Sequence, residues 1–187
     1  MARSKEFDPD AALDKALELF WERGYEATSM ADLVAHLGIG RASLYATFGG
    51  KHELYLRTLR RYLDGRGPIE LLSQPGPALP AVRALVESYT EEALADQRGC
   101  MIVNAAGELL PRDHTVARFV ENNWAELEGA LTSALIRARA LGELDGDPRQ
   151  LARFVLVFLQ GLRLMAKGSP DPARLRDATR QALRLLV

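Results

Sequence analysis

One cysteine in 187 residues rules out an intrachain disulfide, so Cys100 is a free thiol and the chain suits a reducing, cytoplasmic compartment. No run of about 18 apolar residues occurs, which excludes a membrane-spanning helix of the usual length. The stretch MARSKEFDPDAALDK has no apolar segment and is not read as a secretory signal. Neither charge dominates: 24 Lys and Arg stand against 25 Asp and Glu, so no global field draws the chain to nucleic acid or to a membrane. The three histidines, His36, His52 and His114, are scattered without a second ligand one turn away, and no metal site is expected. The nucleophile elbow, the P-loop and the dinucleotide fingerprint are all missing. With no nucleophile–base arrangement either, neither a catalytic residue nor a cofactor is expected, and the chain does not read as an enzyme.

What is present is helical spacing. A hydrophobic fraction of 48% gives a chain of this length a sizeable core. Leu13, Ala16, Leu17 and Phe20 follow the i, i+3, i+4, i+7 rule and Gly24 stands where a helix would end. Ser29 and Asp32 make a capping box for a second helix that buries Leu33 and Leu37 and stops at Gly38. Arg41–Phe48 reads as a third, and after Gly49 and Gly50 a fourth carries Tyr55, Leu59 and Tyr62 on one stripe. Residues 67–80, GPIELLSQPGPALP, hold four prolines and cannot continue a helix. Further helical patterns run near 80–96, 99–110, 113–141, 147–168 and 172–186, the last opening on Pro172. No sustained alternation argues for a strand and no repeat is visible. The class is all-α: a three-helix helix-turn-helix domain over residues 1–52, then a larger helical domain over 53–187.

The third helix is the informative one. Arg41–Phe48 makes barely two turns, too few for propensity alone to stabilise. Leu33, Leu37, Ile39 and Leu44 face inward, and Gly38 supplies the backbone freedom of a sharp turn, which is helix-turn-helix geometry. A short helix ending in glycines fits a major groove about 12 Å wide without its flanks meeting the phosphates. Arg41, Ala42, Ser43, Tyr45, Ala46 and Thr47 share its outer surface. Arginine grips guanine, hydroxyls bond several bases and an alanine methyl meets thymine. Lys51 opens the next helix, where its charge and the helix N-terminal N–H groups suit a phosphate. Residues 28–66 carry six basic and three acidic side chains, Arg66 among the former, whereas residues 1–27 carry four basic and seven acidic. Arg3 and Lys5 could extend the basic band as an arm. The competing reading is a helical hairpin whose polar residues merely face water, in an all-helical dimeric interaction protein without DNA binding.

These residues resemble the tetracycline-repressor (TetR) family of bacterial transcription regulators. The match runs along ALELFWERGYEATSMADLVAHLGIGRASLYATFGGKHEL, with the Arg23-Gly24-Tyr25 step before Thr28 and Ser29, then Gly38-Ile39, Leu44-Tyr45, Phe48 and Lys51 in order. The resemblance implies that Thr28, Arg41, Ser43, Tyr45 and Lys51 fall on DNA-contacting positions. Val34, where a small alanine is common, and Gly50, where a polar residue is usual, depart from the pattern. The resemblance further implies a double-stranded palindromic operator, a small-molecule effector in the C-terminal half, and a homodimer through the last two helices, here residues 147–187. LARFVLVFLQGLRLM, apolar almost all round, suits a helix covered on one side by its own domain and on the other by a partner. RGCMIVNAAGEL resembles one branch of the family. Within it Cys100, Asn104 and Glu108 stand at i, i+4 and i+8, a polar stripe that reads as the lining of the effector pocket. Gly99 and Arg98 beside Cys100 suit a reactive thiol, a sensor of electrophiles or oxidants. Glu121, Asn122 and Asn123, and the tail arginines Arg174, Arg176, Arg180 and Arg184, read as solvated faces.

Overall fold

The computed structural model describes residues 7–64, 67–168 and 170–186. Among them stand ten α-helices and no strand. The chain divides into two compact units, residues 1–66 with 104–116 and residues 67–103 with 117–187.

The first unit holds α1 (Pro9–Arg23), α2 (Met30–Leu37), α3 (Arg41–Phe48) and α4 (Lys51–Leu63). Asp8 caps α1 by accepting the Asp10 N–H at 2.9 Å, with Pro9 in the first turn, where its missing N–H costs nothing. The capping box of α2 is present: Asp32 N–H donates to Ser29 Oγ at 3.1 Å and Ser29 N–H to Asp32 Oδ2 at 2.8 Å. Gly38 closes α2 at φ 67°, the left-handed conformation the turn into α3 demands. Leu33, Leu37, Ile39 and Leu44 are all buried, as their spacing requires. Helix α3 is held by tertiary contact: Leu44 and Phe48 are buried, and each contributes about 1.5–3 kcal/mol, which offsets the unfavourable nucleation of so short a helix. Phe20 and Tyr55 meet edge to face at 5.0 Å and Trp21 meets Tyr62 likewise, fastening α1 along α4. That packing puts α4 in the same unit as α1, whereas the sequence reading ends the domain at residue 52.

The second unit is built on α5 (Pro68–Ser73), α6 (Ala78–Ala95), most of α8 (His114–Ala140), α9 (Pro148–Met165) and α10 (Pro172–Arg184). Helix α7 (Met101–Leu109) begins in this unit and ends in the first. The proline-rich stretch does end α4, yet it is not helix-free: Pro68 opens α5 and Pro80 lies in the first turn of α6. Helix α6 has no side-chain cap of its own, and Glu143 takes that role from afar by accepting the Ala78 and Leu79 N–H groups at 3.1 and 2.9 Å. Asp147 and Asp171 cap α9 and α10, each followed by proline, the device already used at Asp8. Val82, Val86, Leu131, Leu135, Val155 and Leu159 form the centre of the core. Across it the Thr90 and Thr179 hydroxyls pair at 2.7 Å, so neither buried oxygen lacks a partner.

Candidate nucleic-acid interface

Helix α3 presents two chemically distinct faces. Leu44 and Phe48 are buried, while Arg41, Ala42, Tyr45 and Ala46 are exposed and Ser43 and Thr47 are half-buried. Arg41 holds its guanidinium 5.9 Å from the centroid of the Tyr45 ring, a contact that keeps the charge on the outer face. Gly50 makes room for that ring: a Cβ there would stand 3.3 Å from Tyr45 Cε1. No side chain caps the N-terminus of α4. Lys51, its first residue, lays Nζ 4.1 Å from the centroid of Tyr25.

Thr28 is fully buried, and its hydroxyl donates to the Gly24 carbonyl at 2.7 Å, which ties the turn before α2. The basic band is also narrower than the residue count implies. Arg61 is bound bidentately by Asp14 at 2.8 and 3.1 Å. Arg57 lies 5.6 Å from the Phe48 ring centroid. Arg3, Lys5 and Arg66 lie outside the described residues. Half-buried Val34, on α2, leaves the helix-turn-helix intact.

Behind Lys51 stand two carboxylates: Glu108, which the sequence reading assigns to a pocket, and Asp113, which it does not single out. Glu108 accepts the Tyr25 N–H at 3.0 Å and the Glu26 N–H at 2.7 Å. Asp113 Oδ2 lies 2.7 Å from His52 Nε2, and its Oδ1 accepts the N–H groups of Thr115 and Val116 at 2.9 and 3.0 Å. Burial pushes the Asp113 carboxyl up, but the Val116 N–H, His52 and the Thr115 N–H outweigh it and hold the group below its ordinary value. Burial, with Asp113 and Glu26 nearby, raises the Tyr25 phenol. No local pattern announces the contacts of Glu108 with Tyr25 and Glu26 or of Asp113 with His52, because these partners lie more than sixty residues apart in the chain.

Of the polar stripe, Glu108 accepts backbone N–H groups of the first unit, to which the half-buried Asn104 also belongs, whereas Cys100 belongs to the second. Cys100 is buried, and its Sγ accepts a hydrogen bond from Arg163 Nη1 at 3.0 Å. That guanidinium also lies 3.8 Å from the Tyr89 ring centroid and 3.6 Å from Glu92. A cavity of about 660 Å³ in the second unit is lined by Pro75, Pro77, Arg137, Leu141 and Glu143, away from the stripe. Among the described residues, no three His, Cys, Asp or Glu side chains gather to hold a metal ion. No helix among them is long and apolar enough to cross a membrane.

Two family models match: "Bacterial regulatory proteins, tetR family" over residues 12–58 and "Tetracyclin repressor-like, C-terminal domain" over residues 78–182. The chain is 39% identical to YezE of Bacillus subtilis, an uncharacterised helix-turn-helix transcriptional regulator, with all of each chain covered. It is 33% identical to the transcriptional repressor ComR of Escherichia coli, covering 98% of this chain and 90% of that one. Among solved structures, a cysteine-substituted form of the TetR-family regulator CifR, bound to a 26-base-pair operator duplex, superposes with a TM-score of 0.86 at 33% identity over 98% of each chain. The chain belongs to the tetR family of bacterial regulatory proteins.

Proposed function

We propose that the chain is a homodimeric repressor that occupies a palindromic operator and leaves it when a small molecule binds the second unit. It works in the cytoplasm and catalyses no reaction. The observation that carries this reading is the outer face of α3, where Arg41, Ala42 and Tyr45 are exposed, with Lys51 opening the helix that follows. Arg41 reads a base edge; Ser43 and Thr47 flank it with hydroxyls; Lys51 and the uncapped start of α4 hold a phosphate. The operator complex of CifR and the repressor activity named for ComR support the same reading.

Pairing is supported by α9. Opposite the buried Ala152, Val155, Leu159 and Leu162, its residues Phe154, Val157, Leu164 and Met165 are exposed. An apolar face of that kind suits a second copy of the same helix. Two reading helices then meet successive major grooves, with half-sites about 10 base pairs apart or at a related spacing. For the effector, the indole N–H of Trp124 on α8 is buried without an acceptor among the described residues, a group that a ligand oxygen would satisfy.

The test is duplex binding by fluorescence anisotropy with the inverted repeat beside its own gene. Arg41→Ala lowers discrimination at one base position by about 1–3 kcal/mol. Lys51→Ala weakens binding to every sequence and flattens the salt dependence. Wild-type affinity in both variants would displace the reading helix from α3. No salt-dependent association of the wild type at all would favour the interaction protein without DNA binding.

A second, covalent route to release is favoured by the Arg163–Cys100 contact. A thiol-reactive compound such as N-ethylmaleimide is expected to release operator DNA from the wild type and not from Cys100→Ser. Equal release from both, or none from either, leaves Cys100 as packing.

A further inference from the structure

The 104–116 segment folds with the first unit although the residues on both sides of it belong to the second. Its two half-buried carboxylates each hold a neighbour of Lys51. Glu108 spans the end of α1: its two oxygens take the consecutive N–H groups of Tyr25 and Glu26, 83 and 82 residues away. Gly24, at φ 85°, permits that approach, since a Cβ there would stand 3.0 Å from Glu108 Oε2. Tyr25, so fixed, is the ring over which the Lys51 ammonium lies. Asp113 uses one oxygen to cap α8 and the other to hold His52, the residue after Lys51. The two carboxylates therefore fix the ring beneath the ammonium and the first turn of the helix that carries it.

From this convergence we infer that Glu108 and Asp113 are positioning residues for phosphate binding, acting on Lys51 through Tyr25 and His52. The inference rests on the operator-binding reading and adds to it the part of the chain that sets the phosphate contact. Charge-assisted hydrogen bonds to backbone N–H groups are short and directional. A carboxylate is therefore suited to holding the α1–α2 turn in one place, and a shift of α7 or of the start of α8 alters where the ammonium is presented.

The experiment uses the full-length dimer and an operator duplex titrated over a range of potassium chloride concentrations. Glu108→Gln keeps the size of the side chain but sets an amide donor against one of the two N–H groups. Asp113→Asn removes the charge facing His52. Each is expected to weaken operator binding about tenfold and to make the salt dependence shallower by about one phosphate, as Lys51→Ala does. Combined with Lys51→Ala, neither is expected to add a further loss, because the group through which it acts is already gone. Weakened binding with the wild-type salt slope, or losses that multiply with that of Lys51→Ala, would overturn the inference and leave the carboxylates holding the fold alone. His52→Phe, which keeps both carboxylates but removes the group that Asp113 holds, serves if Glu108→Gln fails to fold by circular dichroism: a shallower slope supports the inference and an unchanged one overturns it. A wild type that binds duplex DNA with no salt dependence sinks the operator reading itself, a result distinct from either.

Discussion

Helices α3 and α9 each bury one face and leave the other to solvent, but the two outer faces are opposite in kind. On α3 the outer residues are small or polar, with Arg41 and Tyr45 reaching outward and Ala42 and Ala46 between them. On α9 they are Phe154, Val157, Leu164 and Met165, large and apolar. A solvated helix has no need of either arrangement: a spare outer face carries mixed charges at helical spacing, as α10 does with Arg174, Asp177 and Gln181. A face of small groups around one guanidinium admits the edges of bases, and an apolar face admits another apolar face. The chemistry of an exposed face thus tells one partner from the other.

The most drastic way to break this contrast is to move a charge from one side of α9 to the other. Leu159 is fully buried and Val157, two residues earlier, is 71% exposed. Leu159→Glu places an unpaired charge in the core, at a cost of at least about 3–5 kcal/mol, and is expected to abolish the cooperative thermal transition. Val157→Glu is expected to leave helicity and that transition in place while sedimentation shows a monomer at micromolar concentration. Operator affinity falls with it, since one half-site then binds alone. A Val157→Glu protein that stays dimeric would move the pairing surface off α9.

Periodicity was enough to find both helices and the inner face of α3, because burial of Leu44 and Phe48 obeys the 3.6-residue repeat. It also found the exposed positions of α3. It does not reach contacts that a residue makes with distant parts of the chain. Glu108 has the spacing of a pocket residue on α7, but what it binds is the end of α1, which no window along α7 contains. LARFVLVFLQGLRLM is apolar nearly all round, and only packing shows that Leu159 and Leu162 point inward. The short helix within the proline-rich stretch was hidden because Pro68 both ends one pattern and starts the next.

On α3 the contrast is sharpened by Gly50→Ala. The backbone there has φ 131°, which side chains other than glycine rarely adopt, and the added methyl meets Tyr45 Cε1 at 3.3 Å. The expected loss is about 1–2 kcal/mol of stability in the first unit, with Tyr45 pushed from its place beside Arg41. Thermal unfolding measures the first effect and operator discrimination the second. Unchanged discrimination would mean that the Tyr45 ring takes no part in placing the arginine.

The smallest expected effect concerns pH. Both carboxyls that hydrogen bonding holds below their ordinary value, Asp32 through Ser29 and Asp113 through Val116, His52 and Thr115, lie in the first unit. A depressed carboxylate contributes stability that is complete above its unfolded value, here 3.8, and is lost as the pH falls through the lower folded value. Acid is therefore expected to loosen the first unit through these two residues. The two tryptophans make this measurable, since Trp21 lies on α1 in the first unit and Trp124 on α8 in the second. In a Trp124→Phe background, Trp21 fluorescence follows urea unfolding of the first unit, with and without Asp113→Asn. At neutral pH the Asp113→Asn protein is expected to be the less stable. The gap should begin to close as the pH drops below about 4, because the unfolded carboxylate then takes up a proton, and it closes further as the folded carboxylate is protonated at lower pH. A gap that stays constant down to about pH 3 would show that Asp113 acts by shape alone and that its charge adds nothing to the unit that carries Lys51.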